Sequence, residues 1–280
     1  MANYDQAEGL RRMLELPKVR VITFLSALPD EEKSSMIINL ADSIAKTGKK
    51  TLLIDAKSTD KSIGEWMSVR SDQSLLEVAK HHRTIDSVIK KISPNLSITK
   101  LLGRNYTSQS SSRFDYRDLS KVFDAAITQS DFVIVDAELD LNDTFIISSL
   151  EESEIVIQVS TEPSTIKNAY SQMKRLNDKL GCKKFEVVIS GLSSKQAQLI
   201  FSNLSQTASR YLGVQLNFLG LVPDDGHLRK ATDLGRSVND VYPLSSAAIA
   251  FSQMANQLIS STQATLLFNE IPKLGAQIEF

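Results

Sequence analysis

The chain has 280 residues, 42% of them hydrophobic and 23% charged, an ordinary globular composition that excludes disorder, collagen and disulfide scaffolds. Its 32 basic and 33 acidic side chains leave a net charge of -1, so no global field draws it to nucleic acid or to an anionic membrane. The single cysteine, Cys182, cannot form an internal bridge, and no apolar run approaches the ~20 residues that span a bilayer. The start, MANYDQAEGLRR, has no signal-peptide core, so a cytosolic protein is expected.

Along the chain, a short N-terminal segment ends near Pro17, which stops a helix there. The run VRVITFL (19–25) reads as a strand, followed by a helix-like stretch to Thr47 and a second strand, TLLID (51–55). Further strands are expected at LSITK (96–100), DFVIVDA (131–137), EIVIQVS (154–160), KFEVVIS (184–190) and NFLGLV (217–222). Most are near-continuous apolar runs, as strands covered on both faces should be. Helices are expected from Tyr116 to Gln129, Ser164 to Leu180, Ser194 to Tyr211 and Ser245 to Ile259. The alternation predicts an α/β fold, doubly wound around a mostly parallel sheet. It divides into an N-terminal segment (1–17), one α/β domain (18–260) and a tail (261–280) interrupted by Pro272.

In such folds phosphates bind where the first strand turns into the first helix. That turn reads Ser26-Ala27-Leu28-Pro29-Asp30-Glu31-Glu32-Lys33-Ser34-Ser35, and the helix continues through Asn39-Leu40-Ala41. The spacing resembles the MinD/ParA superfamily of deviant Walker A ATPases, whose loop runs K-G-G-x-G-K-[ST] and continues into N-L-A. The resemblance implies a P-loop fold. A phosphate loop depends on glycines, which let successive N–H groups turn inward without side-chain obstruction. Here Pro29, Asp30 and Glu32 stand where the superfamily has glycines, and Leu28 stands where it has its signature lysine. Proline has no N–H to donate. Each of the three acids repels a phosphate charge ~4 Å away by about 4 kcal/mol at an effective dielectric near 20. Pro29 suits a first helical position, and Asp30, Glu31 and Glu32 complement the helix dipole, so the acids can occupy the anion site themselves.

The same resemblance expects D-x-D at the end of the second strand, where this chain has Asp55-Ala56-Lys57. A charged lysine cannot accept a proton from water. Asp136 is in place for a Walker B acid, but Ala137-Glu138-Leu139-Asp140 lacks the glycine of the D-x-x-x-G switch, and Ile189 takes the place of an adenine-binding asparagine. Lys33, Ser34, Asp55 and Asp136 survive, and the two acids beside a lysine also read as a buried ion-pair network. The expectation is a pseudo-ATPase with no cofactor, ATP and Mg²⁺ being disfavoured, and with no catalytic residue of its own. The alternative is an active ATPase holding ATP through Lys33 and Ser34.

Residues Asp5-Gln6-Ala7-Glu8-Gly9-Leu10-Arg11 resemble the D-Q-A-x-x-L-R element of the FlhG/FleN branch of this superfamily, regulators of flagellar placement and number. YLGVQLNFLGLVPDD (211–225) and RSVNDVYPLSSAAIAFSQMA (236–255) resemble the same branch. The resemblance implies that the segment activates an FlhF-like GTPase of the signal-recognition-particle class. Gln6 would orient the attacking water, Asp5 would place Gln6, Leu10 would anchor an apolar contact one turn on, and Arg11 would pair with carboxylate or phosphate. Ala7 completes the motif. Asp5 and Glu8 also have capping-box spacing, so the element alone equally reads as an ordinary helix start. Flagellar C-ring components, a flagellar transcription regulator, and recruitment to the cell pole or flagellar base are implied on the same ground. A monomer follows from the loss of ATP, which closes superfamily dimers.

His81-His82 read as a solvated face rather than a metal site, Cys182 as a structural thiol, and Trp66 as packing. The tail carries Glu270, Lys273 and Glu279 and so lacks the basic face of a membrane helix. Neither membrane contact, nor a DNA-partition role, nor a metal is expected.

Overall fold

The computed structural model describes residues 19–57, 62–67, 69–70, 73–103, 113–182, 184–191 and 193–270, with backbone only at 65–66, 113–115 and 262–270. The N-terminal element at 5–11 lies outside the described residues. Among the described residues, eight strands form one sheet: β1 (Arg20–Ser26), β2 (Thr51–Asp55), β3 (Lys90–Ser93), β4 (Leu96–Lys100), β5 (Phe132–Asp136), β6 (Glu154–Val159), β7 (Lys184–Ser190) and β8 (Gln215–Val222). The helices are α1 (Asp30–Lys46), α2 (Ile63–Trp66), α3 (Leu75–Ala79), α4 (Ile85–Val88), α5 (Arg113–Ile127), α6 (Pro163–Leu180), α7 (Ser194–Leu212), α8 (Gly226–Asp233), α9 (Val238–Val241) and α10 (Ser246–Glu270).

The spatial order is β3-β4-β2-β5-β1-β6-β7-β8, and every pairing is parallel except β3 with β4. Chain order reverses at β1, which lies between β5 and β6. The carboxyl ends of these strands therefore open a crevice at a topological switch point, the place where ligands of this fold class bind.

Side chains alternate between two cores, as the period of a strand requires. Ile22, Phe24, Leu53 and Ile134 face one side, where they meet Met36, Ile37, Leu40 and Ile44 of α1 and Phe251 and Met254 of α10. Leu52, Ile54, Val133, Val135 and Ile157 face the other, against Leu119 and Phe123 of α5, Met173 and Leu176 of α6, and Leu204 of α7. β2 and β5 are buried along their whole length, as their continuous apolar runs predicted. Gly220 lets α10 lie directly on β8, because a Cβ there would collide with Met254.

Helix α1 is buried from Lys33 to Ala45, enclosed by the sheet and by α9 and α10. Its buried polar groups are therefore paired. Asn39 Oδ1 accepts Val238 N–H at 2.7 Å, Asp42 accepts the Ser237 hydroxyl at 2.6 Å, and Asn239 Nδ2 donates to Ser43 Oγ at 2.7 Å. The N-L-A segment and the RSVND segment, 200 residues apart for Asn39 and Asn239, thus form one interface.

Asp225 ties two further helices. Its Oδ1 accepts His227 N–H at 2.8 Å, capping α8, and its Oδ2 accepts Ala247 N–H at 3.0 Å and the Ser246 hydroxyl at 2.9 Å, closing the start of α10. Burial alone would raise this carboxyl, but the N–H groups of Ala247 and His227 hold it far below the usual carboxylate range.

Three expectations change. β3, KKIS, was not anticipated: it is a half-exposed antiparallel edge strand, with Lys91 and Ile92 exposed and Lys90 donating to Met67 O at 2.9 Å, so it lacks an apolar run. The last helix continues past 260 to Glu270, so the domain-to-tail boundary placed at 260 falls within it. Pro29 is the residue before α1 rather than its first member; its carbonyl accepts Lys33 N–H at 3.1 Å, the first bond of the helix.

Asp225→Ala is expected to cost ~2 kcal/mol, two caps at about 1 kcal/mol each. The folded pKa is depressed, so this stability is present above the unfolded value near 4 and is lost as pH falls toward the folded one. Urea denaturation should show a constant wild-type advantage above about pH 5 that shrinks below about pH 4; an advantage independent of pH would contradict it.

Candidate functional site

The turn from β1 into α1 has only three residues, Ala27, Leu28 and Pro29, and no glycine. Asp30, Glu31 and Glu32, which a phosphate loop would use as loop residues, are already helical. The donors that remain are engaged: Ala27 N–H reaches Gln158 O at 3.3 Å and Leu28 N–H reaches Ser26 Oγ at 3.0 Å. Nothing in this turn can wrap successive N–H groups around a phosphate.

The cations are engaged as well. Lys33 is 3% exposed, and its ammonium sits 2.6 Å from Asp136 Oδ1 while donating to Ala137 O at 2.7 Å. Asp136 is fully buried, and neither of its oxygens has a hydrogen bond of good geometry, so the Lys33 charge is what compensates it. Lys57 is buried at the end of β2 and pairs with Asp30, and with Glu138 at 3.2 Å. Burial works against its charge, but Asp30, Asp136 and Glu138 outweigh that and raise the Lys57 pKa, so its amine stays charged and cannot act as a base. Asp30 of the first turn thus answers a lysine of this chain, while Glu31 and Glu32 are exposed.

Asp55 lies opposite Asp136 across the β2–β5 ladder. Its Oδ2 accepts the Ser62 hydroxyl at 2.6 Å and Gly64 N–H at 3.2 Å, and its Oδ1 accepts Lys57 N–H at 3.2 Å. Lys100 Nζ stands 4.0 Å away. Burial raises the Asp55 carboxyl; Ser62 opposes this, and the Asp136 charge adds to it. A Cβ on Gly64 would collide with both Lys100 and Asp55, so this glycine is required for the contact. The two strand-end acids do not share one lysine: Asp136 faces Lys33 and Asp55 faces Lys100, while Lys57 pairs with Asp30 and Glu138. Ser62 and Lys100 were not singled out in the sequence, because a serine and a strand-end lysine carry no motif.

A cavity of about 380 Å³ opens beside this cluster at the carboxyl ends of β6, β7 and β8. Gln158, Ser190, Met36 and Phe251 line it, and Glu31, Glu32 and Asp224 stand around it, with Arg229 2.8 Å from Asp224. Partial burial, with the charges of Glu162 and Glu31 adding to it, pushes the Glu32 carboxyl up. Ile189 is fully buried beneath, and Ser190, whose hydroxyl accepts from Gln158 Nε2 at 3.1 Å, lines the cavity in its place. The glycine-free turn and the two lysines already paired within the chain offer no ready cradle for the phosphates of a nucleotide.

His81 and His82 are exposed, with His82 3.0 Å from Glu77, and among the described residues no group of side chains could hold a metal ion. Cys182 is half-buried, and burial with the Glu151 charge raises its thiol, away from reactivity. The Trp66 side chain lies outside the described residues. Among the described residues no helix is long and apolar enough to cross a membrane.

No protein-family model matches the chain. It is 24% identical over 252 residues to the antiactivator FleN of Pseudomonas aeruginosa, covering 90% of each chain. It is 23% identical over 250 residues to the flagellum site-determining protein YlxH of Helicobacter pylori, covering 89% of this chain and 84% of that one. Among solved structures, the septum site-determining protein MinD of Pyrococcus horikoshii, complexed with Mg-ADP, superposes with a TM-score of 0.64 at 18% identity, over 93% of this chain and 100% of that one. The chain is FleN- and YlxH-like in sequence and MinD/ParA-like in fold.

If Lys33 and Asp136 form a structural pair, Lys33→Met should destabilise the fold by ~3–5 kcal/mol by leaving a buried charge unpaired. Lys33→Met with Asp136→Leu should recover most of that loss in urea denaturation. A single variant within about 1 kcal/mol of wild type would show instead that the lysine is held for a ligand.

Proposed function

We propose that this chain is a regulator of flagellar placement and number that activates an FlhF-like GTPase through residues 5–11, and that it does so without ATP. The observation that carries the flagellar reading is the extent of the similarity to FleN and YlxH, about nine-tenths of this chain in both comparisons. Agreement over one short motif would not distinguish a partner-binding element from a helix start; agreement over the whole domain supports the former.

The absence of an ATP cycle rests on the geometry of the turn. Asp30 and Glu138 take the charge of Lys57, and Asp136 takes that of Lys33, so the two ammonium groups nearest the crevice are neutralised from within. For a triphosphate to bind through Lys33 and Ser34, Lys33 would have to abandon Asp136, leaving a fully buried carboxylate uncompensated. That loss is of order 3–5 kcal/mol before any repulsion from Glu31 and Glu32 is counted. The chain would then hold one conformation where its relatives' fold alternates, and would serve as a monomeric platform for partners. Flagellar C-ring components and a flagellar transcription regulator are the further partners in this reading, with recruitment from the cytoplasm to the pole or flagellar base.

The chemistry assigned to the N-terminal segment is positional. An amide donates and accepts at once, so Gln6 can orient the attacking water in GTP hydrolysis without taking its proton. Asp5 and Ala7 fix its approach, and Leu10 and Arg11 hold the segment on the partner.

GTP turnover by an FlhF-like protein should rise by at least about tenfold when this chain is added, and Gln6→Ala should abolish the rise while leaving thermal unfolding of the chain unchanged. Equal turnover with and without the chain, or full stimulation by Gln6→Ala, would refute the activator role.

A further inference from the structure

One flank of the domain carries almost no charge. β8 ends the sheet, paired among the described residues on one side only, with β7, and α7 and α10 pack on its two faces. From Gln196 to Ser209 of α7, along all of β8, and from Ser246 to Ser261 of α10 there is no aspartate, glutamate, lysine or arginine, although 23% of the chain is charged. Burial does not explain this. α10 presents Ser252, Gln253, Asn256 and Gln257 to solvent and α7 presents Leu199 and Tyr211, whereas α6 exposes Lys174, Arg175 and Asp178. Solvated surfaces ordinarily keep a quarter or more of their residues charged, and depletion of charge beside an exposed tyrosine is the composition of an interface.

The two edges of the sheet also differ. β3 has four residues and two lysines, Lys90 and Lys91, the kind of edge that resists further pairing. β8 has eight residues with neither charge nor proline, and Asn217, Phe218, Gly220 and Leu221 along it are partly exposed. A bulge at Leu219 interrupts its ladder with β7, and Gln257 Nε2 covers Phe218 O at 3.1 Å. These temper the edge without charging it.

We infer that two copies of the chain meet through this flank, one β8 edge antiparallel to the other, about a two-fold axis perpendicular to the sheet. Such an axis sets a surface against itself, so any charge on it would face its own sign, and a neutral surface is what self-pairing requires. The same axis keeps each helix on its own side of the sheet, which places α10 beside α10 of the second copy. Gln257 reaches β8, and Gln253 is one turn earlier on the same helical face, so both stand at the seam. Size then sets the strength. Eight residues at ~3.3 Å span about 26 Å, and three layers ~10 Å apart span about 20 Å, so each copy contributes about 500 Å². A total near 1,000 Å² belongs to weak, transient contacts, with a Kd of about 10–100 μM. The chain is then a monomer when dilute and a pair where recruitment to one site concentrates it.

The pairing is independent of the activator role, and only the place of concentration rests on that reading. Sedimentation velocity of the full chain from about 1 to 200 μM, beside Gln253→Glu with Gln257→Glu and Gln253→Lys with Gln257→Lys, tests it. Wild type should pass from monomer to mostly dimer across this range. Each double variant should pair at least about tenfold more weakly with its thermal unfolding unchanged, and an equimolar mixture of the two should recover pairing, because opposite charges then face each other across the seam. A wild type still monomeric at about 200 μM would overturn the inference. So would double variants that pair as wild type does, which would put the contact elsewhere, or a mixture that pairs no better than its components. GTP turnover enters none of these readings: its failure would refute the activator role alone, and a monomeric wild type that still stimulates turnover would refute the pairing alone.

Discussion

The contact of the Lys33 ammonium with the buried Asp136 carboxylate organises the face of the sheet where this fold class binds ligands. Both groups are removed from water, and among the described residues Lys33 is the cation in direct contact with Asp136. Two charges can be buried together at a tolerable cost, whereas one alone cannot. This constraint fixes the start of α1 over the end of β5, and the pairing of Lys57 with Asp30 and Glu138 then closes the same gap from the side of β2. Three elements that would meet around a ligand meet around each other.

The two ends of the sheet differ accordingly. The carboxyl end is a closed electrostatic cluster with a cavity beside it, and the amino end carries an open groove. Regulation by a ligand would have to disrupt the first. Regulation by a partner would leave it intact. Between them, the ties from Asn39 to Val238 and from Asp225 to α8 and α10 make the C-terminal third a fixed brace for α1.

Much of this was legible in the sequence, for physical reasons. Strands buried on both faces must be apolar throughout, so β1, β2 and β4 to β8 stood out to within one or two residues. KKIS did not, because an exposed edge strand has no need of that pattern. The short α2, α3, α4 and α9 are only four or five residues long, too short to show an amphipathic run, and α3 and α9 are each closed by a serine N-cap, so no periodicity announced them. At the crevice, Lys33, Asp55, Lys57 and Asp136 were found because a motif fixes their spacing. Lys100, Ser62 and Ser190 come from other strands and loops and are brought in only by the sheet order. The role of Asp30 illustrates the limit: its charge was readable, but that it answers Lys57 required the fold. The 5–11 element lies beyond the described residues and rests on sequence likeness and on the proposal built upon it.

The claim on which the account turns is that internal ion pairs fill the place of a nucleotide. Isothermal titration of the chain with ATP and Mg²⁺ tests it most directly. No saturable heat is expected up to ~1 mM, equivalent to a binding free energy weaker than about -4 kcal/mol. A saturable isotherm with a Kd near ~10 μM or below, lost when Ser34 is changed to alanine, would contradict it.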